Sequence, residues 1–517
     1  MSAASLAAAE APIGSHRAAV TVCVMLATIM QALDTTIANV ALPYMQGSLS
    51  ATLDQINWVL TSYIVAAAIM TPPTGWLAGR FGRKRLFLIA VAGFTVTSVL
   101  CGMAVSIGQM VLFRLLQGAF GASLVPLSQS VLLDSYPREK HGSAMAMWGV
   151  GVMLGPILGP TLGGYLTEIY DWRWVFYINL PVGILTFLGL SAFLSETPRD
   201  GARGFDWFGF GALSLAIGAL QMMLDRGERL DWFASTEIVI EAVLAGLGLY
   251  LFLVHMATAK RPFIEPRMFR DRNFTTGLVF IFVVGIVLLA TLALLTPFLQ
   301  DLMGLPVLTA GLVLAPRGIG TMVGMLVVGR LINRVDGRLL ILCGLALTAL
   351  ALWEMAGFTP EIPQGTIIRT GLVQGLGLGL IFVPLTTMTF ATLEPAHRTQ
   401  GTALFSLMRN IGSSIGISVV IFLLSRNTQV MHASLVEHIT PFNDLLRGPG
   451  PEAFWNLAEP AGRAALNAEI TRQAMAVSYI DDFRLMMTVV LMAMPLVLLF
   501  RRPGRPAGGA PAAAAAE

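Results

Sequence analysis

Apolar runs of about twenty residues recur fourteen times along this 517-residue chain, and no other feature constrains its fold as strongly. A hydrocarbon core of ~30 Å takes a helix of about 20 apolar residues. A spanning segment must also satisfy its own backbone hydrogen bonds, which a helix does. Spans are expected near 18–42, 56–78, 86–104, 108–133, 143–166, 174–194, 208–224 and 236–255. Six more follow near 276–297, 308–330, 339–358, 367–391, 401–425 and 483–500. Charged residues make up 12% of the chain, about half the share usual in globular proteins. The expected fold is an all-α polytopic membrane protein.

An even number of spans leaves both termini on one side, and basic residues decide which. With both termini cytoplasmic, 21 Lys and Arg fall in the inner segments and 8 in the outer ones. The inner set includes Arg83-Lys84-Arg85, which between two membrane spans reads as an inside anchor rather than a nucleic-acid patch. The first apolar run continues past signal-peptide length, so it reads as a membrane span. Cys23, Cys101 and Cys343 all lie in apolar runs and give neither a disulfide framework nor a metal spacing.

The chain also repeats itself. GWLAGRFGRKR from Gly75 is echoed by GRLINRVDGR from Gly329, LVPL from Leu124 by FVPL from Phe382, and PREKHGSA from Pro137 by PAHRTQGTA from Pro395. Three matches in the same order indicate two homologous six-helix halves. The expected domains are a cytoplasmic N-terminus at 1–17, a first bundle at 18–194 and a linker with two extra spans at 195–275. A second bundle at 276–500 follows, with a long outer loop at 426–482, and then a disordered cytoplasmic tail at 501–517. Leu466, Ile470, Ala474 and Val477 stand at helical spacing, so the loop is expected to end as an amphipathic helix.

In the fifth span, Gly151, Gly155, Gly159 and Gly163 recur every fourth residue, with Pro156, Pro160 and Gly164 in the same run. Each interior Gly costs a soluble helix about 1 kcal/mol and each Pro about 3 kcal/mol. In a bilayer, the same spacing lets another backbone pack directly on the cleared face. The stretch is either a packing seam or a hinge facing the second half, and its place outside the charged pair favours the hinge.

Charge inside a span marks function or a partner, because an Asp or Arg at a helix centre costs roughly 2.5–3.5 kcal/mol on insertion scales. Asp34 in the first span and Arg114 in the fourth are expected at about equal depth, roughly 9–12 Å below the outer surface. They can therefore form a pair, with Gln117 on the Arg114 face. Burial favours the neutral carboxyl and a nearby cation favours the charged one, so such a group can load and release a proton. The alternative is a structural salt bridge. Asn39, Tyr63, Gln117, Glu354 and Arg409 are expected to line a substrate cavity, with Arg317 and Arg369 as further intramembrane or boundary charges. No phosphate-binding GxxxxGK[ST] loop, HExxH motif or nucleophile elbow is present. Neither a cofactor nor a metal is expected, and transport is expected to run on the proton gradient.

These stretches resemble the major facilitator superfamily, in particular its fourteen-helix drug:proton antiporter branch of EmrB/QacA type. The resemblance rests on LDTTIANVALP around Asp34, GWLAGRFGRKR, RLLQG from Arg114, the Gly151–Gly164 run, DWRWVFYINLPVG from Asp171 and FDWFG from Phe205. It implies two repeated six-helix bundles, Asp34 as the proton-coupling carboxylate, Arg114 as its partner and outward transport. It also implies a gating loop built on Gly75, Arg80, Gly82 and Arg83. That loop departs from the superfamily pattern by carrying Gly79 where an Asp is usual, so gating is expected to rely on Arg80, Arg83 and other contacts. The long outer loop resembles members that work with a periplasmic adaptor and an outer-membrane channel, which implies a Gram-negative inner membrane. The expectation is proton-coupled export of amphipathic drugs or other toxic organic compounds. Alternatives are an importer, an exporter of a dedicated metabolite, lipid or siderophore, and a non-transporting sensor.

Overall fold

A computed structural model describes residues 17–197, 204–260, 262–332, 334–439, 455 and 459–501. The expectations for residues before 17, for most of the 501–517 tail and for the middle of the long loop lie outside the described residues. Among the described residues there is no strand.

Helix α1 (Arg17–Ser48) opens the first half. Helices α2 (Leu53–Met70) and α3 (Thr74–Phe81) form the second span and meet at a 60° bend. Pro72 and Pro73 cause the break, since each lacks an N–H and crowds the preceding turn. Gly82, at φ +89°, turns the chain into α4 (Arg83–Met103) in a backbone region that glycine enters without strain. The span expected near 108–133 is two helices, α5 (Ile107–Gly121) and α6 (Leu124–Ser135). Then come α7 (His141–Ile169), the short α8 (Trp174–Tyr177) and α9 (Asn179–Phe193). The inserted pair is α10 (Trp207–Arg226) and α11 (Thr236–Thr258). The second half holds α12 (Arg272–Pro297), α13 (Val307–Leu331), α14 (Gly337–Met355), α15 (Gln364–Phe390), α16 (Arg398–Glu437) and α17 (Pro460–Ala493). Among the described residues, thirteen helices are long and apolar enough to cross a membrane, fourteen with the bent α2–α3 pair counted as one span. The chain is a multi-pass membrane protein.

Within the first half, α1 packs on α7 and α9, and α5 packs on α2 and α4. The second half repeats the scheme, with α12 on α16 and α15 on both α13 and α14. The halves meet through α7 on α13, and through α3 and α6 on α16. The inserted α10 lies against α11, α2 and α16, and so touches both halves.

The long loop expected at 426–482 is mostly helix where it is described. α16 runs on to Glu437 and α17 already begins at Pro460. The two extensions meet where His432 hydrogen-bonds Asn467 (2.9 Å). Leu466, Ile470 and Ala474 are buried as their spacing predicts, but Val477 is exposed and Ser478 takes the buried place. A continuous helix advances about 100° per residue, which brings the fourth residue after Ala474 onto its face more closely than the third.

Candidate functional site

Asp34 lies in mid-α1 and is fully buried. Three donors from two other spans reach its carboxylate. Arg114 donates from Nη1 to Oδ2 at 2.7 Å. Gln117 donates to Oδ1 at 2.9 Å, and Asn179, at the start of α9, donates to Oδ1 at 3.1 Å. Arg114 is as buried as its partner. It also donates to the Gln117 side-chain oxygen (2.8 Å) and to the Val59 carbonyl of α2 (3.0 Å). Its guanidinium lies over the Tyr63 ring, 4.2 Å from the centroid.

The local sequence explains this convergence. Arg114 and Gln117 are three apart, so they share one face of α5. Gly118 then brings that face against α2, where the Tyr63 carbonyl fills the space a side chain would need. Asn179 is fixed from behind by donating to Ser98 Oγ (2.9 Å), which in turn donates to the Phe176 carbonyl (2.9 Å). Both oxygens of the Asp34 carboxylate and both amide groups of Gln117 are held, as a buried network requires. Losing one member of a buried ion pair strands the other charge, at about 3–5 kcal/mol. A proton arriving at Asp34 neutralises one side of that pair and so changes the balance of the whole network.

Asn179 does not stand out in the sequence reading, although it is the polar residue between Ile178 and Leu180 in an apolar stretch, a signal of the kind that marks Asp34. Tyr63 and Gln117, expected to line a cavity, are instead enclosed in the network at 2% and 0% exposure. Both reach inward because Asp34 and Arg114 need partners there. Asn39 is exposed and its side chain returns to the Thr35 carbonyl (3.3 Å). Glu354 is engaged at the boundary, accepting from Thr370 (2.7 Å) and pairing with Arg369 (3.3 Å). Arg409 is half-buried on α16.

The glycine row of α7 corrects one expectation: it faces α1 of the same half, not the second half. A Cβ at Gly155 would stand 2.6 Å from Ala32, one at Gly159 would meet Thr36, and one at Gly163 would stand 3.0 Å from Ile37. Gly151 faces Met25, while Gly164 has no atom within 4 Å of where its Cβ would be. Thr36 donates to the Gly155 carbonyl (3.1 Å), tying the two backbones together. Small residues on both helices allow this approach. Pro156 is exposed, and Pro160 continues the helix. The opposite side of α7 meets α13, with Ile157 against Gly318 and Ala146 against Gly329. Helix α7 thus stands between the helix of Asp34 and the second half.

At the end of the bundle carrying Arg83-Lys84-Arg85, here the basic end, Arg83 pairs with Asp134 of α6. Gly75 packs on Gln400 of α16, and the Glu196 carboxylate occupies the space beside Gly82. Arg80 is exposed at the close of α3 and has interactions of its own.

The Major Facilitator Superfamily model matches residues 24–417. The chain is 35% identical over 504 residues to the multidrug export protein EmrB of Escherichia coli K12, covering 96% of this chain and 97% of that one. It is 36% identical over 501 residues to the fatty acid resistance protein FarB of Neisseria gonorrhoeae, covering 96% and 98%. The fold is shared with the proton:xylose symporter XylE, with a TM-score of 0.60 and 12% identity over 93% of this chain and 96% of that one. A human organic anion transporter, MFSD10, aligns with a TM-score of 0.58 and 15% identity over 92% and 99%. The repeated halves, the buried Asp34–Arg114 network and a family match over most of its length place this chain in the major facilitator superfamily, among secondary transporters rather than enzymes.

Proposed function

We propose that this protein is a proton-coupled antiporter that exports amphipathic organic compounds by alternating access. The observation that carries this reading is Asp34, a carboxylate with no exposure and three protein donors. Protonation removes the charge that Arg114, Gln117 and Asn179 converge on, which loosens the hold of α5 and α9 on α1. Because α7 is seated on α1 and abuts α13, a shift of α1 moves the contact between the halves. No cofactor enters the cycle, since the proton gradient supplies the energy. The similarity to EmrB and FarB, named for multidrug export and fatty acid resistance, supports the outward direction and the amphipathic cargo.

The same reading places the protein in the inner membrane of a Gram-negative cell with both termini cytoplasmic. The basic end then faces the cytoplasm, and the α16 and α17 extensions project into the periplasm as the docking place for a membrane-fusion adaptor leading to an outer-membrane channel.

Asp34→Asn tests the coupling. The variant retains shape and one acceptor oxygen but cannot cycle a charge, so in proteoliposomes it loses pH-gradient-driven export while remaining folded and inserted. Export at the wild-type rate removes Asp34 from the mechanism.

A further inference from the structure

The second half contains a counterpart of the Asp34 network with its charge balance changed. Gln117 bonds Asp34 in the first half; in the second, Gln374 of α15 donates to Thr291 of α12 (3.4 Å). Gly118 packs on the Tyr63 carbonyl, and Gly375 packs on the Arg317 carbonyl of α13 in the same way. Arg317 therefore takes the place of Tyr63, and Thr291 that of Asp34. Three residues before Gln374 stands Gly371 where the first half has Arg114, and the stem of Arg317 runs past it, 3.6 Å from where a Cβ would be. The guanidinium thus enters from a different helix, and its carboxylate partner has been replaced by a hydroxyl.

Arg317 is 7% exposed, and among the described residues its guanidinium donates only to the Leu288 carbonyl of α12 (2.8 Å). Arg409 of α16 approaches the same turn of α12, since its backbone packs on Gly285. Its side chain shares a face with Thr402, seven residues earlier, and Thr402 donates across the interface to the Pro126 carbonyl (3.0 Å). No carboxylate among the described residues pairs with either arginine. Gln374 is fully buried, and its Oε1 has no donor among the described residues. The first-half network sums to zero charge, whereas here buried Arg317 stands without a carboxylate and Arg409 adds a second, half-buried cation on the helix packed against the same turn of α12. A buried cation without a counter-ion is costly, and an arriving anion offsets that cost through charge-assisted hydrogen bonds.

We propose that Arg317 and Arg409, with Gln374 and Thr291, receive the anionic headgroup of the exported compound, a monocarboxylate whose apolar body lies between the halves. The proposal rests on the export reading and narrows its cargo to organic anions. Proton and substrate then occupy equivalent places in opposite halves.

The test uses the full chain in nanodiscs, with empty nanodiscs subtracted, and three probes sharing one tail: decanoate, decanamide and decyltrimethylammonium. Wild type is expected to bind decanoate at least tenfold more tightly than the other two. Arg317→Gln and Arg409→Gln each weaken decanoate binding about tenfold, leave decanamide binding unchanged, and Arg317→Lys restores part of the loss. Equal binding of the three probes by wild type overturns the proposal, as does decanoate binding that both glutamine variants retain. An equal loss for decanamide assigns the arginines to packing and overturns it too. Proteoliposome flux separates the two readings: arginine-dependent decanoate binding without gradient-driven export defeats the export reading alone, whereas export of decanoate indifferent to both arginines defeats this one alone.

Discussion

Arg398, the first residue of α16, donates to Asp134, at the end of α6, at 2.5 Å, so the basic end is held by a charge contact between the two halves. Arg83 holds the other oxygen of the same carboxylate, making Asp134 the meeting point of two cations. Beside it, Ser130 and Thr399 share a hydrogen bond (2.8 Å). The contact is partly buried, so losing one member leaves charge uncompensated. Asp134→Asn is therefore expected to open the basic end. A cysteine placed at Ser130, in a Cys343→Ser background, should react with a membrane-impermeant maleimide several-fold faster when Asp134→Asn is added. Unchanged labelling would mean that the neighbouring packing alone keeps this end shut.

Gly79 provides the converse experiment. Nothing lies within 4 Å of where its Cβ would be, and it lines the same cleft as His397, Thr399 and Gln400. The start of α16 has no side-chain cap. A carboxylate there faces the positive end of the helix, worth about 0.3–1 kcal/mol. Gly79→Asp is expected to slow labelling of the Ser130 cysteine reporter about two- to fivefold and to lower turnover. Faster labelling would show that the empty place is needed for closure.

Residue spacing and charge made the spans, the repeat and the Asp34–Arg114 pair legible, because each is local or follows from the cost of charge in lipid. The direction of the glycine row was not, since a row cleared at four-residue spacing says that a backbone approaches but not which one; Ala32 and Thr36, on a helix more than a hundred residues earlier, decide it. The gate was half legible. Arg83 lies in a readable loop, whereas Asp134 reads as an ordinary polar residue at a helix end until α16 brings Arg398 to it. Tyr63 and Gln117 were recognisable as polar groups within spans, but whether such a group faces a cavity or a buried ion depends on three helices meeting at once.

Asn179→Ala removes one of the three donors to Asp34. A hydrogen bond to a charged group is worth about 1.5–3 kcal/mol, and the Ser98 hydroxyl loses its donor as well, keeping only the Phe176 carbonyl. The expected result is a lower melting temperature and a roughly tenfold fall in pH-gradient-driven export, while counterflow without a gradient persists. Asn179→Gln keeps an amide but moves it, so it should recover little. Gradient-driven export equal to wild type would reduce Asn179 to a bystander.

Helix α7 is the place where packing and transport are most directly linked. Its glycine row brings the backbone against Ala32 and Thr36, on either side of Asp34 in α1, while Ile157 and Ala146 on its other side meet α13. A side chain at Gly155 has no room beside Ala32, and one at Gly159 runs into Thr36. Forcing extra atoms into a packed contact typically costs about 1–3 kcal/mol, too little to prevent insertion of so apolar a chain but enough to prise α7 from α1. Gly155→Leu and Gly159→Val are therefore expected to reach the membrane at normal levels and to lose most pH-gradient-driven export. Gly164→Ala, with open space around it, serves as the matched substitution and should transport normally. Export preserved in both bulky variants would break the proposed line from Asp34 through α7 to the second half, and leave the row as a seam that only holds two helices together.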